Sequence, residues 1–306
     1  QSDTAWAAMA VVKYQDFVFD GAGKLVKTTA GAGGTNYQVQ QYDYDANGRL
    51  TCTAVRMNPS IFGALPASAC TLGTAGTGAN DFGEDRITQN VYNANGRIVQ
   101  VKAGVGTALL ADEVTTGFTP NGQVSHVIDA ENNRTTYIYD GHDRLSQTQF
   151  PSATKGANAS NASDYEQLTY NANGNVTQRR LRDGALISYS FDNLNRATLK
   201  DLPGSEPDVT YSYDLLNRMT QANQTGNVLG YSYDALSRNL SQSGPRGTLT
   251  YRYDEAGRRT RITYPGGTTL YVQYVYDTTG NVTAIRENGA TSGAGVLAAY
   301  LYDSIG

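Results

Sequence analysis

One eight-residue pattern recurs from end to end of this chain, and it limits what the chain can fold into. Its plainest copy is Tyr251-Arg252-Tyr253-Asp254-Glu255-Ala256-Gly257-Arg258. Tyr251 and Tyr253 stand two apart, so on a strand they share a face. Asp254 can accept hydrogen bonds from backbone N–H groups two residues on and so start a turn. Gly257 supplies the positive φ that a hairpin loop of three to five residues needs near its end, and Arg258 opens the returning strand. Read alone, this is one β-hairpin.

The copies begin at Phe19, Tyr44, Tyr92, Tyr139, Tyr170, Phe191, Tyr213, Tyr233, Tyr253 and Tyr276. Phe118-Thr119-Pro120-Asn121-Gly122 is a degenerate copy, and Tyr302-Asp303-Ser304-Ile305-Gly306 is cut off at its Gly. Asp45, Asp140, Asp214, Asp234, Asp254 and Asp277 hold the acidic position, and Gly48, Gly96, Gly174, Gly257 and Gly280 the glycine position. Where Gly is absent, Asp143, Asn195, Asn217 or Ser237 replaces it. Asn and Asp are the non-Gly residues that best tolerate the left-handed region; Ser237 fits least well. Most copies carry a second aromatic two residues earlier, as in Tyr42/Tyr44, Tyr137/Tyr139 and Tyr274/Tyr276. Stacked hairpins would align these rings in two rows on one face of a sheet.

The chain is 39% hydrophobic and 17% charged, with mean hydropathy −0.46, which suits a sheet with much of one side in water. Length alone suggests about two domains, but a repeat array overrides that prior. The reading is therefore a single array over 1–306, with copies near 19, 44, 92, 118, 139, 170, 191, 213, 233, 253, 276 and 302. Stretches 52–88 and 151–166 read as inserted loops. The apolar stretch Ala5–Val12 reads as a strand, since it lacks the basic flank of a signal peptide. A net charge of −4 with no basic stripe argues against nucleic acid, and no apolar run reaches membrane-spanning length.

Cys52 and Cys70 are the only cysteines, and both lie in the first insertion. They either form a disulfide in an exported protein or are two unrelated buried thiols; the absence of any other Cys favours the disulfide. A catalytic, cofactor or metal site is hard to place. A zinc or triad site would need His126 or His142 with convergent partners; His142 sits in a turn, and Asp277-Thr278-Thr279-Gly280 is the turn of its own copy. Calcium would need repeated Asp-x-Asp spacing, met only by Asp43 and Asp45. The expectation is a chain with no catalytic, cofactor or metal residues. The Tyr rows read first as a structural ladder and second as a platform for glycans or peptides.

About a dozen hairpins give two dozen strands. At ~4.8 Å per strand this is a ribbon of roughly 115 Å, more than an open twisted sheet tolerates without curling. The expected fold is all-β: a long curled sheet, a spiral shell or a barrel-like wall. The open edges and the stop inside a turn at Gly306 suggest a segment of a longer chain, or a protomer covered by neighbours.

The motif, as in Tyr44-Asp45-Ala46-Asn47-Gly48-Arg49, resembles the YD repeat of the bacterial Rhs family, and the resemblance runs from Phe19 to Gly306. That family includes polymorphic toxins, cocoon-forming subunits of insecticidal toxin complexes and the animal teneurins. The resemblance implies hairpins spiralling into a hollow shell, which in toxins encloses a C-terminal effector and in teneurins serves adhesion. Toxin members follow the repeats with an Asp-Pro-x-Gly core that cleaves itself. No Asp-Pro occurs here, so autoproteolysis and toxicity are carried over to no residue. The functional expectation is a non-enzymatic wall segment, exported or at the cell surface, whose partners are the rest of an Rhs-type chain or an enclosed effector polypeptide. The alternative is an extracellular adhesion or structural protein, polymeric or not, that binds partners or glycans.

Overall fold

The computed structural model describes residues 13–78, 82–266 and 270–303. Ala5–Val12 and the closing Ser304-Ile305-Gly306 of the last copy lie outside the described residues. The chain divides into two compact units, Gln1–Tyr165 and Glu166–Gly306. Twenty-three strands are described, each ladder running antiparallel to its neighbour in sequence, and the remaining regular structure is short 3-10 turns such as Pro59–Ile61. The all-β hairpin array is what the motif predicts.

Every motif copy with both strands described makes the same hairpin. The motif aromatic pairs with the residue six positions on, and the register then slips by one: Tyr44 lies opposite Leu50 but Asp43 opposite Cys52. Phe19, Tyr92, Phe118, Tyr139, Tyr170, Phe191, Tyr213, Tyr233, Tyr253 and Tyr276 repeat that slip. The extra residue is a bulge in the return strand, and a bulge increases local twist. Ser146, Thr177 and Thr283 occupy it, each donating its hydroxyl across to the carbonyl of Ile138, Thr169 or Val275. The Asn-Val-Thr triplets at 175–177 and 281–283 thus have a structural use for their Thr.

At the opposite rim the connections vary. Gly33-Gly34, with φ of 56° and 82°, joins Ala32 to Thr35 as a two-residue turn. Asp129 builds a motif-type turn there, its Oδ1 accepting from the N–H groups of Glu131 and Asn133, with Asn132 at φ 64°. The aromatic-keyed pattern misses this turn because Ile128 precedes it. Strand Ser160–Tyr170 begins inside 151–166, so that loop extends only over 152–159. Its polar residues concealed the strand, since ladder bonds come from the main chain.

In the first unit, strands Leu50–Arg56 and Arg86–Tyr92 take up both ends of 52–88, leaving 57–85 as the connection. Its described residues fold back over the sheet face that carries Gln41, Asp43, Cys52, Ala54 and Arg56, away from Tyr42 and Tyr44. A disulfide joins Cys52 to Cys70, and Cys52, Ala54, Ala69 and Ile87 form a buried cluster. Arg56, its side chain at 0% exposure, donates five hydrogen bonds: two to Gln41 Oε1, and one each to Asp85 Oδ2, the Thr71 carbonyl and the Ser68 carbonyl. Burial pushes the Asp85 carboxyl up, but the Met57 N–H, the Arg56 guanidinium and the Gly73 N–H outweigh it and hold it below its ordinary value.

Removing one partner of a buried, hydrogen-bonded pair costs about 3–5 kcal/mol. Arg56→Met is therefore expected to lower unfolding free energy by that order, and chemical denaturation checks it. A loss below ~1 kcal/mol would mean that the connection holds its place without the pair. Reduction of Cys52–Cys70 is expected to cost on the order of 3 kcal/mol in the same assay, through freed chain entropy.

Candidate functional site

Among the described residues the recurring unit is the joint between successive motif turns. Each turn is built by its acid. In the copy at Tyr213, Asp214 Oδ1 accepts from the N–H groups of Leu216 and Arg218, and Oδ2 from Arg218 Nε at 2.7 Å. Asp45, Asp140, Asp192 and Asp234 do the same with Arg49, Arg144, Arg196 and Arg238, while Asp254 holds the N–H and Nε of Arg258. Gly48, Gly96, Gly174, Gly257 and Gly280 have positive φ, as do Asp143, Asn195, Asn217 and Ser237.

The arginine then reaches forward to the next copy. The Arg218 guanidinium lies 4.7 Å from the Tyr233 ring centroid, and its Nη1 donates to the Asp234 carbonyl at 2.9 Å. Arg49 covers Tyr92, Arg196 covers Tyr213, Arg238 covers Tyr253 and Arg258 covers Tyr276, at 4.5–4.9 Å. Lys24 over Tyr44 and Arg97 over Phe118 are looser versions, at 5.2 and 5.3 Å.

The covered tyrosine closes the joint with its hydroxyl. Tyr233 donates to the Met219 carbonyl at 2.8 Å, in the first residue of the preceding return strand. Tyr44, Tyr92, Tyr139, Tyr213, Tyr253 and Tyr276 donate in the same way to Leu25, Leu50, Val124, Ala197, Asn239 and Arg259. This bond explains why the position favours Tyr over Phe. Ser237 also gains a purpose: its hydroxyl accepts from Arg218 Nη1 at 3.2 Å, as Asn217 Oδ1 does from Arg196 at 2.9 Å.

The remaining sequence candidates disperse. Asp43 accepts from Ser68 and Ala69 in the insertion while Asp45 serves its own turn, so the two do not share a ligand position. Asp277 Oδ1 accepts from Thr279 and from the N–H of Asn281, as a turn acid does. His142 is exposed in its turn. His126 lies against Gly117, where any Cβ would strike its ring, and burial with the nearby Arg134 charge lowers its pKa. Among the described residues, no three His, Cys, Asp or Glu side chains group as a metal site, and no helix is long and apolar enough to cross a membrane.

The turn acids have lowered pKa values. For Asp45, Asp192 and Asp140 the chief cause is the hydrogen bond from the arginine four residues on, and Asp140 falls from 3.8 to about 2. At Asp214, Asp234 and Asp254 burial is the largest influence and pushes upward, but the arginine and N–H bonds together prevail.

Residues 118–155 match the family described as RHS Repeat, and residues 202–287 match Teneurin YD-shell. No curated protein sequence matches the chain. Among solved structures the chain is similar to the crystal structures of TcdB2-TccC3-Cdc42 and TcdB2-TccC3-TEV, each at TM-score 0.51 and 14% identity. Each likeness covers 88% of this chain and 16% of the other, so the chain spans about a sixth of the length of these structures, and the likeness shows the fold.

Two outcomes are expected. A depressed acid stabilises the fold fully above its unfolded pKa, and that stability drains as pH falls through the folded value. Thermal midpoints should therefore fall from about pH 4 toward pH 2, and Asp140→Asn should be less stable at neutral pH and show a shallower fall. A midpoint flat across that window would mean that the turn acids are dispensable. Tyr233→Phe removes one hydroxyl bond and is expected to cost about 0.5–1.5 kcal/mol, whereas Tyr231→Phe, outside the joint, serves as the control.

Proposed function

We propose that this chain, which carries repeats of the RHS and teneurin YD-shell kind, is a non-enzymatic wall segment of an exported Rhs-type protein and that the wall encloses a polypeptide. One observation carries the reading: the second unit is a sheet without a core. Of its described residues only Ala284 is buried. By register, Tyr211, Tyr213, Tyr231, Tyr233, Tyr251 and Tyr253 share one face, and Ser212, Gln221, Ser232, Ser241, Thr250 and Arg252 the other. The joints hold such a sheet together without a second layer against either face. That is the construction a wall requires, and it contrasts with an enzyme's enclosed cleft. The similar structures carry joined names, TcdB2-TccC3-Cdc42 and TcdB2-TccC3-TEV, which agrees with an assembly role. A disulfide suits an oxidising compartment.

A second reading, adhesion through the outer rim, draws on four exposed leucines at consecutive turns: Leu194 at 62%, Leu215 at 102%, Leu216 at 62% and Leu236 at 73%.

Limited proteolysis of the native full-length protein separates the two. If the array encloses a polypeptide, a segment outside the array should survive protease until denaturant opens the sheet. Digestion of every other segment at the rate seen in denaturant would overturn enclosure and leave adhesion as the reading.

A further inference from the structure

The joint between the copies at Tyr170 and Phe191 departs from the others in three places at once. Asn171 replaces the acid, Asn175 replaces the arginine, and Phe191 replaces the tyrosine. Asn175 does not reach over the ring: its Nδ2 donates to Asn195 Oδ1 at 3.0 Å, beside a second bond from Asn173 at 2.7 Å. What remains is an open cavity of about 510 Å³ on the Tyr-row face, lined by Leu168, Asn175, Val176, Arg179, Tyr189 and Phe191.

The neighbouring joints show what such a seat holds. In five of them a guanidinium lies 4.5–4.9 Å from the following tyrosine ring. In four it also donates to the carbonyl of the next turn acid, at 2.9–3.3 Å. Here the equivalent carbonyl belongs to Asp192. The turn N–H of Asn195 takes one of its lone pairs at 3.0 Å, and a carbonyl oxygen has two. The face of an aromatic ring attracts a cation, arginine most often. The cation already in the cavity wall, Arg179, is turned to Glu166 at 3.0 Å, which neutralises it.

We propose that this seat is a binding site for an arginine side chain supplied by another polypeptide, whose guanidinium stacks on Phe191 and donates to the Asp192 carbonyl. The site follows from the array's own chemistry and holds whether the array is a wall or an adhesin. It also makes this joint a place where a partner can complete the ladder from outside.

The test is an NMR titration of the whole chain, methyl- and aromatic-labelled, with the peptide acetyl-Gly-Arg-Gly-amide. Binding through one side chain should be weak, with Kd on the order of tens of millimolar. Shifts are expected at Phe191, Tyr189 and Val176, at least about fivefold smaller with citrulline in place of arginine. Asn175→Arg fills the seat from within; it should leave the fold intact and abolish the response. Equal shifts with the citrulline peptide, shifts centred elsewhere, or an unchanged response in Asn175→Arg would each overturn the proposal.

Discussion

The structure depends on a forward reach of one side chain. Arg218 is anchored to Asp214 in its own turn and laid over Tyr233 in the next, so it belongs to two repeats at once. Tyr233 answers by donating its hydroxyl to the Met219 carbonyl in the return strand just completed. A sheet bonded only by main-chain ladders could slip in register, and a slip of one residue would exchange its faces. The joint forbids that slip, because ring, guanidinium and carbonyl meet only at one alignment. Sheet stability is therefore distributed along the array as many small terms, in place of one core.

The first unit adds a different solution over one of its faces. The connection 57–85 supplies a local core around Cys52, Ala54, Ala69 and Ile87, pinned by the disulfide. Its charged pair, Arg56 and Asp85, is fully enclosed by backbone and amide partners. Such a pair is not a strong source of net stability, because desolvation opposes it. It does fix the path of an irregular segment, since five donors of one guanidinium can be satisfied in few arrangements.

What the sequence revealed followed from how local each signal was. The turn at Asp254–Gly257 and the pairing of Tyr251 with Tyr253 on one face were legible, since both are decided within a few residues. The role of Arg258 was not, because its ring partner Tyr276 lies in the following copy. The turn at Asp129 escaped a pattern that demanded an aromatic before the acid. The strand from Ser160 escaped because Ser, Asn and Ala give no apolar alternation. Arg56 and Asp85 are 29 residues apart in an irregular segment, a contact that no periodicity announces.

Each of the five described joints that carries an arginine over a tyrosine runs the same way along the chain: the cation comes from the earlier repeat and the ring from the later one. The array is thus directional, like a row of identical couplings. Where the flanking copies carry both arginine and tyrosine, a repeat excised or duplicated between matching positions leaves a coupling of the same kind at the new junction. The length of such a sheet can change by whole repeats without redesign of any contact, and the number of repeats becomes a quantity that gene duplication can adjust. A copy that lacks its cation, as at Asn175, carries that gap with it wherever the copy is kept or duplicated.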